Sequence, residues 1–595
     1  MSKEKSEEFK SENISRREFL RKTGILAGGT AVGASMLLAG CSNGAATTAA
    51  DAEKWDYETD VVIIGLGGAG ACAAIEAHDA GAKVLVLEKQ AEDHHFPNTR
   101  MSGGVWHNPV PTGDRDARVE YVKAMMSGEN IPGKLEGEQP HVSTEMAEMF
   151  ADLIMENEKF LLAQDPDLDP EGMKAGGDAS FPMFPKFKEA QYGRTVSTRY
   201  KEFAKAVPDL PPYKQAKVNK ASGEAFFWAL VEEGLKKKRP DVQILYQTPA
   251  TSMIKRNGEI IGATATSKDG NEIKIKANKA VVLTAGGFEY SVPMRRAFLE
   301  GPGVKGWCFY GSPDNTGDGI EMAIQIGASL AKVAKSASRI EPAFPHGEKY
   351  EELGLKMGTM SRVSSSKNSC VVDNFGKRYT NEHIITDSTQ PYRYQFYKEA
   401  VKYDMLNMDY PRTPSWAIFD ETRRTTGSVV SMTNSTVGYS FLPWTKDNMD
   451  AINRGWIIKA DTIEELAAKI MADSDNNGRM IAENLVKTIK NFNEYCATGK
   501  DQEFDRNPST MGPVDKPPFY AMKHYPGGPN TKGGVDCNAK REVLDWDGKP
   551  IPRLFSAGEI SSVFKFTYQA GGNITECVVC GRLAGKNAAA LTAWS

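Results

Sequence analysis

VVIIGLGGAGACAAIEAHDAGAKVLVLE, residues 61–88, decides the fold. Its first five residues, Val61 to Gly65, form a short β-branched apolar run, the composition of a strand buried on both faces of a parallel sheet. Gly65, Gly67 and Gly70 then take the positions of a G-x-G-x-x-G turn. ACAAIEAHDA reads as a helix of small residues closed by Gly81, and KVLVLEK as the next strand, ending on Glu88, 18 residues past Gly70. Each part has a physical task. Gly65 permits the tight turn, Gly67 lets backbone approach a pyrophosphate, and Gly70 lets helix and strand pack closely. The helix N-terminus offers unpaired N–H groups and a positive dipole end to phosphates, and Glu88 can accept hydrogen bonds from ribose hydroxyls. A βαβ unit without a nucleotide is the plainer alternative. Strand, glycines, helix, strand and terminal acid in register favour an adenine dinucleotide.

The residues before this unit read as an address. Ser15-Arg16-Arg17-Glu18-Phe19-Leu20 has the form of a twin-arginine export signal, and the uncharged, Gly- and Ala-rich run 24–40 follows it. That run suits a signal h-region better than a membrane span. Leu38-Ala39-Gly40-Cys41 resembles a bacterial lipoprotein cleavage box, which makes Cys41 the acylated first residue of the mature chain. The expected organisation begins with a signal peptide over 1–41 and a small, polar tether over 42–56. The protein would then lie outside the cytoplasm, anchored to the cell membrane by lipid.

With 595 residues the chain is longer than one hydrophobic core normally holds, so two domains are expected. Charged residues make up 25% and the net charge is −4, which gives no footprint for nucleic acid or a polybasic membrane patch. The eight cysteines form no framework. Cys577 and Cys580 make a single CxxC, half the ligands of a zinc or iron–sulfur site with no second pair, so no metal is expected.

Distant segments extend the dinucleotide reading. Asn98-Thr99-Arg100-Met101-Ser102-Gly103-Gly104 is a Gly-rich loop soon after Glu88. The stretch from Thr248 reads as a strand entering a hairpin with Asn257-Gly258 at its turn. Lys279 to Tyr290 reads as a strand followed by a Gly pair, Asn315 to Ala328 places Asp318 at a helix start, and Arg553 to Gly585 reads as strand, glycine turn and final helix. With Ser102-Gly103-Gly104, Thr284-Ala285-Gly286-Gly287-Phe288, Thr316-Gly317-Asp318-Gly319, Gly376 to Glu382 (GKRYTNE) and Ala557-Gly558-Glu559, the chain resembles the flavoprotein family of soluble fumarate reductases, urocanate reductases and 3-ketosteroid dehydrogenases. The resemblance runs from about Tyr57 to Ala590.

It implies an α/β fold: a Rossmann-like FAD-binding domain over 57–340 and 526–595, with an inserted α+β capping (substrate) domain over 341–525. It also implies non-covalent FAD held by Gly65, Ala69, Gly70, Glu88, Asn98, Thr99, Gly103, Gly104, Ala250, Asp318, Glu559 and Gly572. The plainer readings are glycines that only turn the chain and an Asp318 that only caps a helix.

The substrate end departs from the fumarate reductases. Thr386 stands where they carry the proton-donating Arg, Asn530 where they carry the His before T-x-G-G, and Gln569 where they carry an Arg after AGE; Glu341 before Pro342 replaces a further His. A dicarboxylate in a dry site without those cations would lose several kcal/mol. Tyr568-Gln569-Ala570-Gly571-Gly572 instead has the Tyr-x-x-x-Gly spacing of the ketosteroid dehydrogenases, where Tyr hydroxyl and Gly N–H polarise a ketone. Tyr568 falls one residue before the family position, and a packing aromatic is the plainer reading. Tyr392 and Arg393 are alternative proton donors. The resemblance thus implies an FAD-dependent reductase of a C=C bond conjugated to a carbonyl, an enone or ketosteroid-like compound in a mainly apolar pocket. Hydride would come from the flavin, a side chain would supply the proton, and a separate membrane or extracytoplasmic partner the electrons. The alternatives are a dehydrogenase running in the oxidative direction and a non-catalytic electron-relay flavoprotein.

Overall fold

A computed structural model describes residues 54–127, 142–168, 178–179, 184–196, 223–364, 366–385, 395–564 and 571–594. The export signal, Cys41, Thr386, Tyr392, Arg393, Tyr568 and Gln569 lie outside the described residues.

The opening stretch folds as its pattern requires. Strand Tyr57–Ile64 runs parallel to Val84–Leu87 on one side, with Val61 opposite Val84, and to Glu272–Leu283 on the other, with Val61 opposite Ala280. Gln243–Leu245 extends the sheet beyond Val84–Leu87, and Pro550–Ser556 joins Glu272–Leu283 from the far end of the chain. Alternate residues face opposite sides. Val61, Ile63, Val84, Val86 and Val282 pack under the helices, while Val62, Ile64, Leu85, Leu87 and Val281 pack on the other face. The expected hairpin forms from Ala250–Arg256 and Glu259–Thr266, with Asn257 (φ 50°) and Gly258 (φ 87°) in the left-handed region that a tight two-residue turn needs. Glu272–Leu283 begins earlier than the sequence suggested, because residues 272–276 pair with that hairpin before the strand enters the parallel core.

Two helices cover one face, Gly68–Asp79 and Gly572–Ala590. They approach closely because both present small residues. A Cβ on Gly581 would lie 2.5 Å from the Ala69 carbonyl oxygen, and one on Gly585 2.1 Å from that of Ala73. Any larger residue at either position would push the C-terminal helix off the first.

A second, mixed sheet holds Cys308–Phe309, Met357–Gly358, Arg339–Phe344, Phe519–Gly528, Ser415–Asp420 and Ser369–Val372, with Ile457–Ala460 also on Phe519–Gly528. Helices Ile463–Met471 and Ala482–Thr498 bury Leu466, Ile470, Leu485, Ile489 and Phe492 against Val372, Trp416 and Ile418. Residues 341 and 525, the boundaries anticipated from sequence, both lie inside strands of this sheet. The GKRYTNE stretch is tied in by buried charge. Glu382 accepts from Arg378 (3.1 Å) and Arg506 (2.9 Å), while Arg378 also meets Asp501 at 2.8 Å. Among the described residues no helix is long and apolar enough to cross a membrane.

Candidate active site

The C-terminal ends of the parallel strands open on a cavity of about 540 Å³, within the range of small-molecule sites. Gly65, Ala69, Glu88, Asn98, Thr99, Gly103, Gly104, Ala250, Asp318 and Glu559 all line it. Gly70 stands behind this wall, since a Cβ there would lie 2.0 Å from the Gly65 carbonyl oxygen. Gly572 is also off the lining, although Gly571 and Asn573 on either side are part of it.

The three fingerprint glycines have different physical reasons. Gly65 has φ 99°, and its missing Cβ would meet Thr284 O at 2.8 Å. Gly70 is the close contact between helix and turn. Gly67 is uncrowded, its missing Cβ meeting only Pro97 Cβ at 3.8 Å and Thr99 Oγ1 at 4.0 Å. Gly68 N donates to Thr99 Oγ1 at 3.0 Å, which ties the helix start to the Asn98–Met101 turn.

Glu88 is buried. Its Oε2 accepts from Leu66 N at 2.8 Å and its Oε1 from Gln90 N at 2.8 Å, and His95 Nε2 lies 3.4 Å away. Burial works to raise this carboxyl, but His95 and the two amides outweigh it and hold the group below the ordinary carboxylate range. Asp318, the first residue of helix Asp318–Gln325, accepts from Lys89 at 2.6 Å and Thr316 at 2.6 Å.

Residues the sequence reading did not single out complete the walls. Arg339, Met360, Arg362, Thr433 and Asn434 line the same cavity from the second sheet and its loops. Glu341, buried beside them, accepts from Ser361 N at 2.6 Å and lies 3.6 Å from Arg339 Nη1. Burial pushes its carboxyl up to about 7, against the pull of Arg339 and the Ser361 amide. His524, deep under this wall, donates or accepts at Ser361 Oγ (2.9 Å), and burial drives its pKa down to about 4. Asn530, another wall residue, accepts from Asn573 Nδ2 at 2.7 Å; Lys532 behind it donates to Asn573 Oδ1 and to Ser562 at 3.2 Å and pairs with Glu576 at 3.2 Å. The pocket expected to be mainly apolar therefore carries two guanidinium groups. No local pattern marks them, because each is one residue on a strand or loop that tertiary folding brings to the cavity.

Cys577 also lines the cavity and Cys580 is buried in the same helix. Burial pushes both thiols up. Among the described residues no group of three or more His, Cys, Asp or Glu side chains could hold a metal ion.

The profile of the FAD binding domain family matches residues 60–575. The chain belongs to that family. It is 28% identical to a digoxin reductase of Eggerthella lenta over 98% of each chain. It is 27% identical to a 3-oxosteroid 1-dehydrogenase of Mycolicibacterium smegmatis over 90% of this chain and 98% of that one. Among solved structures, the 3-ketosteroid Δ1-dehydrogenase of Sterolibacterium denitrificans in complex with 1,4-androstadiene-3,17-dione superposes with a TM-score of 0.65. That match has 22% identity and covers 90% of this chain and 99% of the other, a likeness of fold.

FAD is the cofactor, and the chain is an FAD-dependent oxidoreductase. The residues present fit that group. The open face of Gly67 and the N-terminus of Gly68–Asp79 suit a pyrophosphate, and the Glu88 carboxylate at the end of the second strand suits a ribose.

Proposed function

We propose that this chain reduces a carbon–carbon double bond conjugated to a carbonyl, with an enone such as a ketosteroid as substrate. The observation that carries the reading is that Arg339, Arg362 and Asn530 line the same cavity as the dinucleotide cradle. When bound, FAD supplies the hydride that reduces the β-carbon. The chain's own part is to stabilise the negative charge that then grows on the carbonyl oxygen. Guanidinium N–H groups at the cavity wall can donate to that oxygen, the more strongly once bound substrate excludes water. Glu341 beside Arg339 offsets part of that cationic charge, which leaves less than the two carboxylates of fumarate demand. Tyr568, Gly572, Tyr392 and Arg393 remain the candidates to polarise the carbonyl or to protonate the α-carbon. The inserted domain over residues 341–525 acts as the cap that encloses the substrate.

The enzyme works outside the cytoplasm, anchored through acylated Cys41, holds FAD without a covalent link and takes electrons from a separate donor protein. Cys41→Ser should release the enzyme from membranes or leave it unprocessed, and acid denaturation should free intact FAD.

The deciding experiment reduces the purified holoenzyme without oxygen and follows flavin reoxidation by a panel of neutral enones and by fumarate. Arg362→Met should slow enone turnover by roughly 10²–10³-fold, the usual loss for one oxyanion donor, with FAD content unchanged. Fumarate outpacing every neutral enone would sink the proposal.

A further inference from the structure

A pair of carboxyl groups converges at the cavity wall where the fold supplies too few donors for two charges. Glu289, fully buried, follows the Gly286-Gly287 turn, and Glu559 lines the cavity after strand Pro550–Ser556. One amide serves both. Asn98 Nδ2 donates to Glu289 Oε1 at 3.0 Å and to Glu559 Oε2 at 2.8 Å. Asn315 Nδ2 adds a longer bond to Glu289 Oε1 (3.3 Å), and Thr531 Oγ1 one to Glu559 Oε1 (3.2 Å). Glu289 Oε2 is buried with no hydrogen-bond partner among the described residues, and the Glu559 carboxyl is close enough to bond to the Glu289 carboxyl. The backbone of Gly287 packs against both groups. A Cβ there would lie 2.0 Å from Glu559 Oε1 and 2.7 Å from Glu289 Oε2.

The charged and titratable groups facing the pair offset it only in part. Lys532, from strand Thr531–Val535, pulls Glu559 down but is turned to Glu576, Asn573 and Ser562, and burial and Glu289 outweigh it. Arg295, from helix Val292–Phe298, donates to the Glu289 backbone carbonyl. Cys577, on the C-terminal helix, is a thiol pushed up by burial. Two bare carboxylates in such a place would repel each other and leave an oxygen unpaired, whereas a single proton between them removes both costs.

We propose that Glu289 and Glu559 hold one proton between them, and that this proton is a condition for tight FAD binding. Loss of it places a second negative charge beside a cavity that must receive an anionic dinucleotide. The direction of titration agrees. Burial raises both groups, and for Glu559 the charge and hydrogen bond of Glu289 raise it further. A raised group keeps its proton at low pH and loses it as pH climbs through the folded value, so FAD should be held below that value and released above it. The inference rests on FAD as cofactor and not on the identity of the substrate.

The test measures free FAD in ultrafiltrates of the holoenzyme between about pH 6 and about pH 9, where full coupling to one proton weakens binding by about tenfold per pH unit above the folded pKa. Wild type should bind at least about tenfold more weakly at the alkaline end. Glu289→Gln carries the charge of the proton-loaded pair at every pH. It should stay within about threefold of the low-pH wild-type value throughout. A wild-type profile that is flat, or a variant that follows the wild type, overturns the proposal. Infrared spectra of the wild-type holoenzyme provide the second readout if the variant fails to fold. A buried protonated carboxyl band should be present near neutral pH and vanish on the alkaline side, and its absence near neutrality also overturns the proposal.

Discussion

Replacing Glu88 by alanine should damage the fold before it damages cofactor binding. The carboxylate already accepts the Leu66 and Gln90 amides at 2.8 Å each and faces His95. Leu66 is buried in the glycine turn, so its N–H would lose its acceptor with no water to replace it, while the Gln90 amide is partly reachable by solvent. A buried donor left unsatisfied costs about 1–3 kcal/mol and the more accessible one less, so Glu88→Ala should cost the apoprotein about 2–4 kcal/mol. Glu88→Gln keeps one acceptor oxygen and should cost about half as much. Urea unfolding of both variants after removal of FAD gives the fold term directly. Repeating it with FAD adds the ribose hydrogen bond, a further 1.5–3 kcal/mol or so for a charged acceptor. If the alanine apoprotein unfolds within about 0.5 kcal/mol of wild type, Glu88 does not hold the turn and the argument fails.

Gly67→Ala should express and fold normally yet bind FAD more weakly, whereas Gly70→Ala, with its Cβ 2.0 Å from Gly65 O, should yield little soluble protein; expression and flavin absorbance of the two separate the roles. Glu382→Ala removes the carboxylate partner of the buried Arg506 and leaves it on backbone carbonyls, while Arg378 keeps Asp501, and should cost about 3–5 kcal/mol in urea unfolding; a loss below about 1 kcal/mol would mean that water enters the network. The Glu341 carboxyl sits at about 7 in the fold against 4.5 for a free glutamate. An acid raised in this way stabilises below its unfolded value and loses that contribution as pH climbs to its folded value. From about pH 4.5 to about pH 7 wild type should therefore lose about 3 kcal/mol that Glu341→Gln does not; unfolding curves of the two proteins that run parallel across this window would refute the assignment.

What the sequence made legible was local. The fingerprint, the Asn257-Gly258 hairpin and the helix starting at Asp318 each lie within one continuous segment, where spacing and backbone preference act over a few residues. The final helix was legible, but its packing was not, because the close approach of Gly581 and Gly585 depends on Ala69 and Ala73, some five hundred positions earlier. Arg339, Arg362, Glu289 and Lys532 were not legible. Each lies in a stretch that reads as ordinary strand or loop, and its role exists only once distant chain segments converge. Glu88 shows an intermediate case. Its place at the strand end was readable, but its two bonds to backbone amides depend on how the turn closes over it.

The sheet that carries the cradle takes one strand, Pro550–Ser556, from near the end of the chain and is roofed by helix Gly572–Ala590, so the walls around Gly65 and Cys577 come from opposite ends of synthesis. A ribosome that has translated the fingerprint has made only half a binding site. The chain must wait, with Glu272–Leu283 lacking its outer neighbour Pro550–Ser556 and helix Gly68–Asp79 lacking its partner helix, until residues beyond Gly571 emerge. Acquisition of FAD can then act as a molecular proof of completion: a polypeptide broken off anywhere before the C-terminal helix carries the signature of a dinucleotide enzyme but no flavin. For a protein whose N-terminus reads as a ticket for export in the folded state, colour would mark which molecules are ready to leave.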